Sequence, residues 1–475
     1  MESFRDDFLS AGCLGLARLA TAAILTPIAA TPALAQCAVT GGPGAMPWST
    51  CGTWSGPSWP NEGTIYNGQP GAAPVLASVD FNGDGKSDLV YQGLFDYGLS
   101  TSLSTGTGFT TATAPATPQP AGCYTGNFDG SGRAGIACGN STDIAFASST
   151  GTGFSSFTTV TTNGLWGMNV GSPAAGISGN PCFVMDVDGD GTDDIVCGSP
   201  ASISGTVTYP SSTSWGVYLS TGGTFKYETW TGPAGGFTQT TGCVVGDFNG
   251  DGLKDLACQW SGVTGTKWAM LISTGRGWSN QTWTGPSSGN TLNCTDTQGN
   301  PAACLNLGST CLVGDYNGDG IDDIACALGN NQWSIGFGGG SSGSTSTFKS
   351  TATWTVPVGT VSSTYCPASY YCGCIPVDMY GTGFTGLLCA TNLTSSATGW
   401  AYLASNGSSF TATTFSTSWS LLTNGTGGWG LYQGGVQQLC VFADFNGDGI
   451  KDVACNPTGV SNNGTWFMGL SSRPQ

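Results

Sequence analysis

The chain has 475 residues, and its 28 acidic side chains outnumber 11 basic ones, which gives a formal net charge of −17 without any histidine. This acidity excludes a general nucleic-acid binder, because such proteins need a basic surface to meet the phosphates. The lack of histidine excludes a Ser/His/Asp triad, a histidine-assisted cysteine nucleophile and the common zinc sites.

The N-terminal segment has the pattern of an export signal. Two arginines precede the apolar run LATAAILTPIAATPALA at 19–35, which ends in an A-x-A motif. This pattern predicts a secretory signal peptide over 1–35, followed by one domain over 36–475. The sequence LAQC at 34–37 is a poorer match to a lipoprotein signal, since glutamine stands where a small residue is wanted. We expect a secreted protein without a membrane span, with a periplasmic or cell-surface location as the alternative.

A nine-residue acidic phrase recurs along the domain. It is intact five times, as DFNGDGKSD, DVDGDGTDD, DFNGDGLKD, DYNGDGIDD and DFNGDGIKD, starting at residues 80, 186, 247, 315 and 444. Two decayed copies, NFDGSGRAG and DMYGTGFTG, start at 127 and 378. Seven starts at broadly similar intervals indicate a repeat architecture.

The intact copies have the ligand pattern of a calcium loop. Oxygen-bearing side chains occupy positions one, three, five and nine, a backbone carbonyl can serve at seven, and glycine at six permits the tight turn. An EF-hand does not fit, since Cys258 stands at position twelve of the third intact copy and the exit DLAC is typical of a strand. The alternative is a solvated turn that only retains the consensus. We expect about five structural calcium ions, with ligands from Asp80, Asn82, Asp84, Lys86, Asp88, Asp186, Asp188, Asp190, Thr192, Asp194, Asp247, Asn249, Asp251, Leu253, Asp255, Asp315, Asn317, Asp319, Ile321, Asp323, Asp444, Asn446, Asp448, Ile450 and Asp452.

The decayed copies lack the ninth-position carboxylate. Gly135 and Gly386 replace it, which leaves Asp129 and Asp378 as lone carboxylates in their loops. We expect no metal at either copy.

Cysteines follow the register of the acidic phrase. In six copies a cysteine stands four residues before the first ligand and another eleven after it, where the two would face each other across a hairpin. The first copy has Leu76 and Tyr91 there instead. Eighteen cysteines follow the predicted signal, an even number that suits an oxidising compartment. The predicted pairs are Cys123 with Cys138, Cys182 with Cys197, Cys243 with Cys258, Cys311 with Cys326, Cys374 with Cys389 and Cys440 with Cys455. Three further pairs are assigned by proximity, Cys37 with Cys51, Cys294 with Cys304 and Cys366 with Cys372.

Each repeat continues into two further predicted strands. A third strand reads WGVYLSTG, WAMLISTG, WAYLASNG or WFMGLSS, and after a glycine turn a fourth strand ends in TWTGP or TATW. Four short strands in each of seven repeats predict an all-β fold, a seven-bladed β-propeller of four-stranded blades. The last repeat lacks its fourth strand, and TWSGP at 53–57 has that strand's signature. We expect the N-terminal strand to complete the last blade and close the ring.

Tryptophans recur at one position of the third strand and one of the fourth. A repeated apolar position favours packing between blades over ligand binding, given the preference of large aromatic side chains for cores. The third-strand set is Trp215, Trp268, Trp333, Trp400 and Trp466, and the fourth-strand set is Trp54, Trp230, Trp283, Trp354 and Trp419.

The phrase D-x-N/D-G-D-G-x-x-D-L/I-A/V, with its trailing glycine turn and aromatic residue, resembles the FG-GAP/VCBS repeat of integrin α-subunit propellers and many bacterial secreted proteins. The resemblance covers residues 50–475. It implies a calcium-stabilised propeller, usually a binding or display module and at times a lectin or part of a toxin. It supplies no common catalytic residues. The six cysteine pairs depart from the general repeat and indicate a disulfide-rich variant.

Candidate ligand-binding residues lie in the connections between blades. Strand reversals place the acidic loops and glycine turns on one face of the disc and these connections on the other. Long, individually different loops on a rigid scaffold are common binding sites. Aromatic lids that only cover the disc are the alternative. The candidates for contact with an extracellular glycan or protein are Trp166, Tyr370, Tyr371, Trp429 and Tyr432.

Three functions are compatible with the sequence. The leading one is a monomeric, secreted binding or adhesion module for a glycan or protein, and the second is a durable scaffold or toxin-associated display module. The third is a carboxylate-dependent, polysaccharide-active enzyme, for which only five acidic residues lie outside the loops. These are Glu62, Asp96, Asp143, Glu228 and Asp296. No sequence feature brings two of them together, so we do not expect an enzyme.

Overall fold

The computed structural model describes residues 48–55, 75–92, 98–116, 123–139, 143–161, 182–198, 203–204, 206–207, 214–233, 243–259, 267–286, 311–329, 332–339, 347–356, 374–390, 399–416, 439–456 and 465–471. All of them belong to one compact unit, Ala35–Gln475. The predicted signal peptide lies outside the described residues. No helix within the described ranges is long and apolar enough to cross a membrane.

The described chain is all-β and forms seven four-stranded antiparallel sheets, the blades of a propeller. Blade 1 consists of β2 (Val75–Val79), β3 (Asp88–Gln92), β4 (Gly98–Ser104) and β5 (Phe109–Ala116). Blade 2 consists of β6 (Cys123–Gly126), β7 (Gly135–Gly139), β8 (Asp143–Ala147) and β9 (Thr158–Thr161). Blade 3 consists of β10 (Cys182–Met185), β11 (Asp194–Gly198), β14 (Ser214–Ser220) and β15 (Phe225–Thr231). The chain segment that connects β11 to β14 contains a separate two-stranded sheet of β12 (Ile203–Ser204) and β13 (Thr206–Val207).

The remaining blades repeat this order. Blade 4 consists of β16 (Cys243–Gly246), β17 (Asp255–Gln259), β18 (Lys267–Ser273) and β19 (Trp278–Thr284). Blade 5 consists of β20 (Cys311–Gly314), β21 (Asp323–Gly329), β22 (Gln332–Phe337) and β23 (Ser350–Thr355). Blade 6 consists of β24 (Cys374–Val377), β25 (Gly386–Ala390), β26 (Gly399–Ser405) and β27 (Phe410–Ser416). Blade 7 consists of β28 (Leu439–Ala443), β29 (Asp452–Asn456), β30 (Thr465–Ser471) and β1 (Trp48–Ser55).

The outer strand of blade 7 comes from the other end of the chain. Strand β1 pairs antiparallel with β30, and Trp54 stands opposite Trp466. This is the place that the TWSGP signature predicts for the N-terminal strand.

Each acidic loop connects the first two strands of its blade, and the predicted cysteines face each other beside it. Four disulfides are described in full, Cys182–Cys197, Cys243–Cys258, Cys311–Cys326 and Cys374–Cys389. Their Cα atoms lie 3.9–4.1 Å apart, which suits residues directly opposite each other on neighbouring strands. These four predicted pairs are confirmed.

Two other predicted cysteine pairs, which we call clamps when they join the first two strands of a blade, are described less completely. The backbone register places Cys123 opposite Cys138 and Cys440 opposite Cys455. Cys138 is disulfide-bonded, while the side chains of the other three lie outside the described set.

The three pairs assigned by proximity stay predictions. Cys51 lies in β1, but its side chain is outside the described set, and its predicted partner Cys37 lies outside the described residues altogether. All four cysteines of the other two pairs also lie outside the described residues, and these are Cys294 with Cys304 and Cys366 with Cys372. The structure therefore tests none of these three bonds.

Blade 1 departs from the predicted register. Tyr91 stands opposite Val75 and not opposite Leu76, because the ladder shifts between Val75 and Ala77. A bulge of this kind places two residues of one strand against one residue of its partner. The prediction that Leu76 and Tyr91 occupy the position of the cysteine pair is therefore wrong by one residue.

Eight of the ten repeated tryptophans have described side chains, and these pack between blades, as predicted. Trp215 and Trp230 of blade 3 share a buried cluster with Leu256 and Leu271 of blade 4. The same arrangement recurs at three more junctions, where Trp268 and Trp283 are buried against blade 5, Trp333 and Trp354 against blade 6, and Trp54 and Trp466 against blade 1. Large apolar side chains at one register position thus join neighbouring blades.

In blade 6 the prediction of Trp419 for the fourth-strand position is wrong. Trp400 stands opposite Phe415, whereas Trp419 lies outside both β27 and the described residues. In blades 3 and 4 the fourth-strand tryptophan comes five residues after the aromatic that opens the strand. Counting five residues from Phe410 in blade 6 leads to Phe415. The fourth-strand position is therefore set by its distance from the glycine turn, and it need not hold a tryptophan.

Removing one clamp tests its contribution to stability. A Cys243→Ala/Cys258→Ala double variant should lose about 3 kcal/mol of unfolding free energy, the chain-entropy value for a closed loop of about 15 residues. Urea unfolding of the unreduced proteins measures the difference. Thiol labelling of the unreduced native parent should leave the eight cysteines of the four described bonds unmodified. Extensive labelling, or an unchanged unfolding midpoint, would contradict the structural role of the bond.

Candidate metal centre

Each intact acidic loop is wrapped around its first side chain. In the loop from 247, Asp247 Oδ1 accepts hydrogen bonds from the N–H groups of Gly250 at 2.7 Å and Asp251 at 3.2 Å, and Oδ2 accepts one from Gly252 at 2.9 Å. The same three contacts form in the loops from 80, 315 and 444. The first carboxylate therefore organises the whole turn.

Two glycines in each loop permit this path. Gly250 and Gly252 have φ of +77° and +89°, in the left-handed region that a side chain disfavours. The corresponding glycines of all seven loops share this conformation. The sequence pattern predicts a glycine requirement at position six, and the structure shows that position four also requires glycine.

The next two ligand-type side chains are held by the loop's own backbone. Asn249 Oδ1 accepts a hydrogen bond from Asp251 N–H at 2.8 Å, and Asp251 Oδ1 accepts one from Leu253 N–H at 2.9 Å. Both bonds recur in the loops from 80, 315 and 444. Positions one, three and five thus present their oxygens from one turn of chain.

The ninth side chain lies under the turn, at the start of the second strand, and is fully buried. Asp255 Oδ2 accepts a hydrogen bond from Phe248 N–H at 3.0 Å, and Oδ1 accepts one from Ser273 N–H at 2.7 Å. Burial raises the pKa of Asp255 to about 7, although these two N–H groups lower it. Burial likewise raises the pKa to about 7 in Asp194, Asp323 and Asp452, and to about 6 in Asp88.

Carboxylates converge most closely in the loop from 186. Asp186, Asp188 and Asp194 each offer an oxygen within 4.8 Å of the others. Burial raises the pKa of Asp188, and the neighbouring charge of Asp190 raises it further. The four other intact loops carry asparagine at position three, so one of their corresponding oxygens belongs to a neutral amide.

This donor set fits a hard divalent cation. All the side-chain donors are oxygens, the ligand atoms that calcium prefers. In the part of the chain that the structure describes, no ion pair reaches a ninth-position aspartate. A buried carboxylate without a cation is costly, so a metal ion would relieve a real energetic penalty.

Lysines already neutralise two of the loops in part. Lys86 Nζ lies 3.1 Å from Asp84 Oδ2, and Lys349 Nζ lies 3.2 Å from Asp319 Oδ2. Both carboxylates stand at position five, where a bound cation would compete with the ammonium group.

The decayed loops have an uncharged replacement for the buried aspartate. In blade 6, Tyr402 OH accepts a hydrogen bond from Met379 N–H at 3.1 Å and donates one to Val377 C=O at 3.1 Å. A Cβ on Gly386 would lie 2.5 Å from this hydroxyl, so glycine makes room for the ring. In blade 2, a Cβ on Gly135 would lie 2.9 Å from a backbone oxygen and 3.3 Å from the Phe146 ring.

Sequence reasoning missed these two aromatic residues, although a signal exists. Phe146 and Tyr402 share one position of the third strand, two residues after the repeated tryptophan position. The five intact repeats carry Thr101, Val217, Met270, Ile335 and Met468 there. Within this one chain, a large aromatic side chain therefore accompanies the loss of the ninth-position aspartate.

Neighbouring loops are joined by backbone hydrogen bonds that the sequence did not indicate. The N–H at position eight of one loop donates to the C=O at position one of the preceding loop, as from Asp322 to Asp247 at 3.0 Å. Six such bonds are described, with lengths from 2.6 to 3.1 Å. The bond from Ser87 to Asp444 joins the first loop to the last one.

The structure does not test the candidate ligand-binding residues. Trp166, Tyr370, Tyr371, Trp429 and Tyr432 all lie outside the described residues. Of the carboxylates considered for catalysis, Glu228 pairs with Lys226 Nζ at 2.7 Å and accepts a hydrogen bond from Trp230 Nε1 at 3.0 Å. These partners, Lys226 first, lower its pKa.

Comparison with known proteins identifies the repeat. Residues 186–258 match the model of the FG-GAP-like repeat, and no curated protein sequence matches the chain. An Agrocybe aegerita lectin that recognises non-reducing terminal N-acetylglucosamine is 19% identical, with 72% of this chain and 79% of the lectin covered and a TM-score of 0.49. The Tc holotoxin pore of Photorhabdus luminescens is 16% identical over 78% of this chain and 15% of that chain, with a TM-score of 0.40.

A biofilm matrix protein of V. cholerae is 14% identical over 89% of this chain and 90% of that chain, with a TM-score of 0.32. At these identities and TM-scores the solved structures give no information on the ligand of this chain. The matched repeat, the seven sheets and the clamped loops agree with one another. The protein is a seven-bladed β-propeller that carries an FG-GAP-like repeat, with four disulfides described in full.

Proposed function

We propose that the protein is an extracellular, non-enzymatic binding module whose propeller is stabilised by calcium in its five intact acidic loops. One observation carries the calcium assignment: every intact loop places a fully buried aspartate beneath three exposed or half-buried ligand-type side chains. Calcium would supply the positive charge that these carboxylates lack. The side chains at positions one, three, five and nine and the carbonyl at position seven would hold it.

The disulfides support an extracellular location. Bonds of this kind persist in oxidising environments and are rare in the cytosol. Four of the blades carry one beside the acidic loop. The predicted signal peptide over 1–35 agrees with export.

The binding role rests on the connections between blades. Antiparallel pairing places the start of the first strand and the end of the fourth strand, which these connections join, away from the acidic loops. The connections are long and differ in sequence, as expected of loops that recognise a partner. We propose an extracellular glycan or protein as that partner, because exposed aromatic side chains can stack on sugar rings or anchor a protein.

We also propose that β1 closes the ring. Trp54 is buried, and its ring lies 5.2 Å from that of Phe109 in blade 1. Trp54→Ala should destabilise the protein by about 3–5 kcal/mol, as much as Trp230→Ala at the same register position of blade 3. Chemical unfolding of the two variants makes the comparison. A negligible loss in Trp54→Ala alone would show that the ring holds without this strand.

Calcium removal should lower the melting temperature. Extracellular calcium modules bind with dissociation constants of about 10⁻⁴–10⁻³ M, so an excess of chelator should empty the loops. Metal analysis at saturating calcium should find about five ions per chain, and about four in Asp255→Ala. Asp129→Ala, in a decayed loop, is the matched control and should leave the metal content unchanged. A parent protein with one ion or none would reject the five-site assignment.

In chelator, stability should fall as the pH rises. The ninth-position aspartates have a raised pKa of about 6 or 7 when folded, against 3.8 ordinarily. Between about pH 4 and pH 7 the unfolded chain loses these protons first, so the folded state is progressively disfavoured. The melting temperature should be lower at about pH 8 than at about pH 5, and added calcium should raise it most at the higher pH. Greater stability of the chelated protein at the higher pH would contradict this prediction.

The partner should contact the connections rather than the acidic loops. Glycan arrays and pull-down experiments identify the ligand, and binding is then measured for variants. Trp166→Ala and Trp429→Ala should weaken binding with little change in melting temperature, because aromatic anchors dominate the binding energy at many interfaces. Trp268→Ala should instead destabilise the propeller, since that side chain is buried. Full affinity in both loop variants, or contacts mapped to the acidic face, would show that the binding surface is elsewhere.

A further inference from the structure

One peptide group belongs to two neighbouring acidic loops. In the loop from 315, the peptide between Ile321 and Asp322 carries the position-seven carbonyl, which we assign as a calcium ligand. Its N–H donates to the C=O of Asp247, the first residue of the preceding loop, at 3.0 Å. Because the peptide is planar, its carbonyl and N–H cannot reorient independently. A cation at the carbonyl would also polarise the peptide and strengthen its N–H as a donor.

The first residue of the preceding loop is held from both sides. The Asp322 carboxylate accepts a hydrogen bond from Asp247 N–H at 2.8 Å, while Asp322 N–H donates to Asp247 C=O. Lys254 Nζ lies 3.0 Å from the same Asp322 oxygen. The residue that organises one loop is therefore positioned by the next loop along the ring.

Side chains interlock at the same junctions. A Cβ on Gly250 would lie 2.8 Å from Ile321 Cδ1, and one on Gly189 would lie 2.6 Å from Leu253 Cδ2. At six of the seven junctions, the position-seven side chain of one loop thus covers the position-four glycine of the preceding loop. Neighbouring loops are therefore packed closely at these junctions.

The order of intact and decayed loops divides the ring. The loops from 186, 247 and 315 are consecutive, and backbone bonds from Lys254 and Asp322 join them. The loops from 444 and 80 are joined by the bond from Ser87. The decayed loops from 127 and 378 separate these two groups.

We propose that calcium binding is cooperative within these two groups, a set of three loops and a set of two, and independent between them. The proposal rests on the calcium assignment made above. An ordered loop holds the shared peptide of its neighbour in the orientation that binding requires, so each occupied loop prepares the next one. Allosteric coupling of this kind typically changes affinity by about 5- to 150-fold.

Calcium titration by calorimetry tests the proposal with two exposed-site variants. Asp251→Ala removes the middle loop of the three, and the sites from 186 and 315 should each weaken by about tenfold while the sites from 444 and 80 keep their affinity. Asp84→Ala removes one loop of the pair, so one remaining site should weaken and three should not. Circular dichroism in excess calcium checks that both variants are folded.

A pair of matched substitutions separates the interlock from general loss of stability. The coupling between the loops from 247 and 315 is the loss of affinity at the site from 315 that Asp251→Ala causes. Ile321→Ala, measured alone and together with Asp251→Ala, should make that loss smaller. Ile450→Ala removes the same side chain from position seven of the loop from 444. The loop before it is the decayed loop from 378, so the coupling between the loops from 444 and 80 should persist.

Four unchanged sites in both aspartate variants would overturn the coupling and leave the calcium assignment intact. A parent protein that binds no calcium would overturn the assignment itself.

Discussion

In five blades, a buried aspartate at the start of the second strand connects the acidic loop to the end of the third strand. Asp255 receives N–H groups from the start of its own loop and from the end of β18, so three segments meet at one side chain. The side chain stands at the start of β17, opposite Gly246 at the end of β16, so it joins the first three strands of the blade where they meet the loop. A group of this kind is stable when it is hydrogen-bonded and offset by positive charge, so a bound cation would stabilise the folded state.

The two blades without this carboxylate show which of its roles is general. In blade 6, Tyr402 keeps the volume and the hydrogen bond to the loop N–H but carries no charge at neutral pH, since burial raises its pKa above the ordinary range. In blade 2, Phe146 fills the corresponding volume beside Phe128 and Phe225. Both blades therefore keep the filled volume, only blade 6 keeps the hydrogen bond between loop and third strand, and neither keeps the negative charge.

Much of this architecture could be predicted from the sequence, because repetition made each weak signal visible several times. The loop spacing, the cysteine register and the tryptophan positions gave the seven blades, four of the disulfides and the acidic loops. Prediction failed where one blade departed from the others, at the bulge beside Leu76 and at Phe415, whose place had been given to Trp419. It also could not show the hydrogen bonds between loops, because these join backbone groups and leave no trace in residue identity.

The disulfides beside the acidic loops have a consequence for damage to the chain. The tips of these loops are exposed, as at Gly250, Asp251 and Gly252, and are natural points of proteolytic attack. A cut there leaves both ends covalently joined through Cys243–Cys258, only a few residues away. Blade 1 has no cysteine pair beside its loop, so no disulfide of this kind would join the two ends of a cut there.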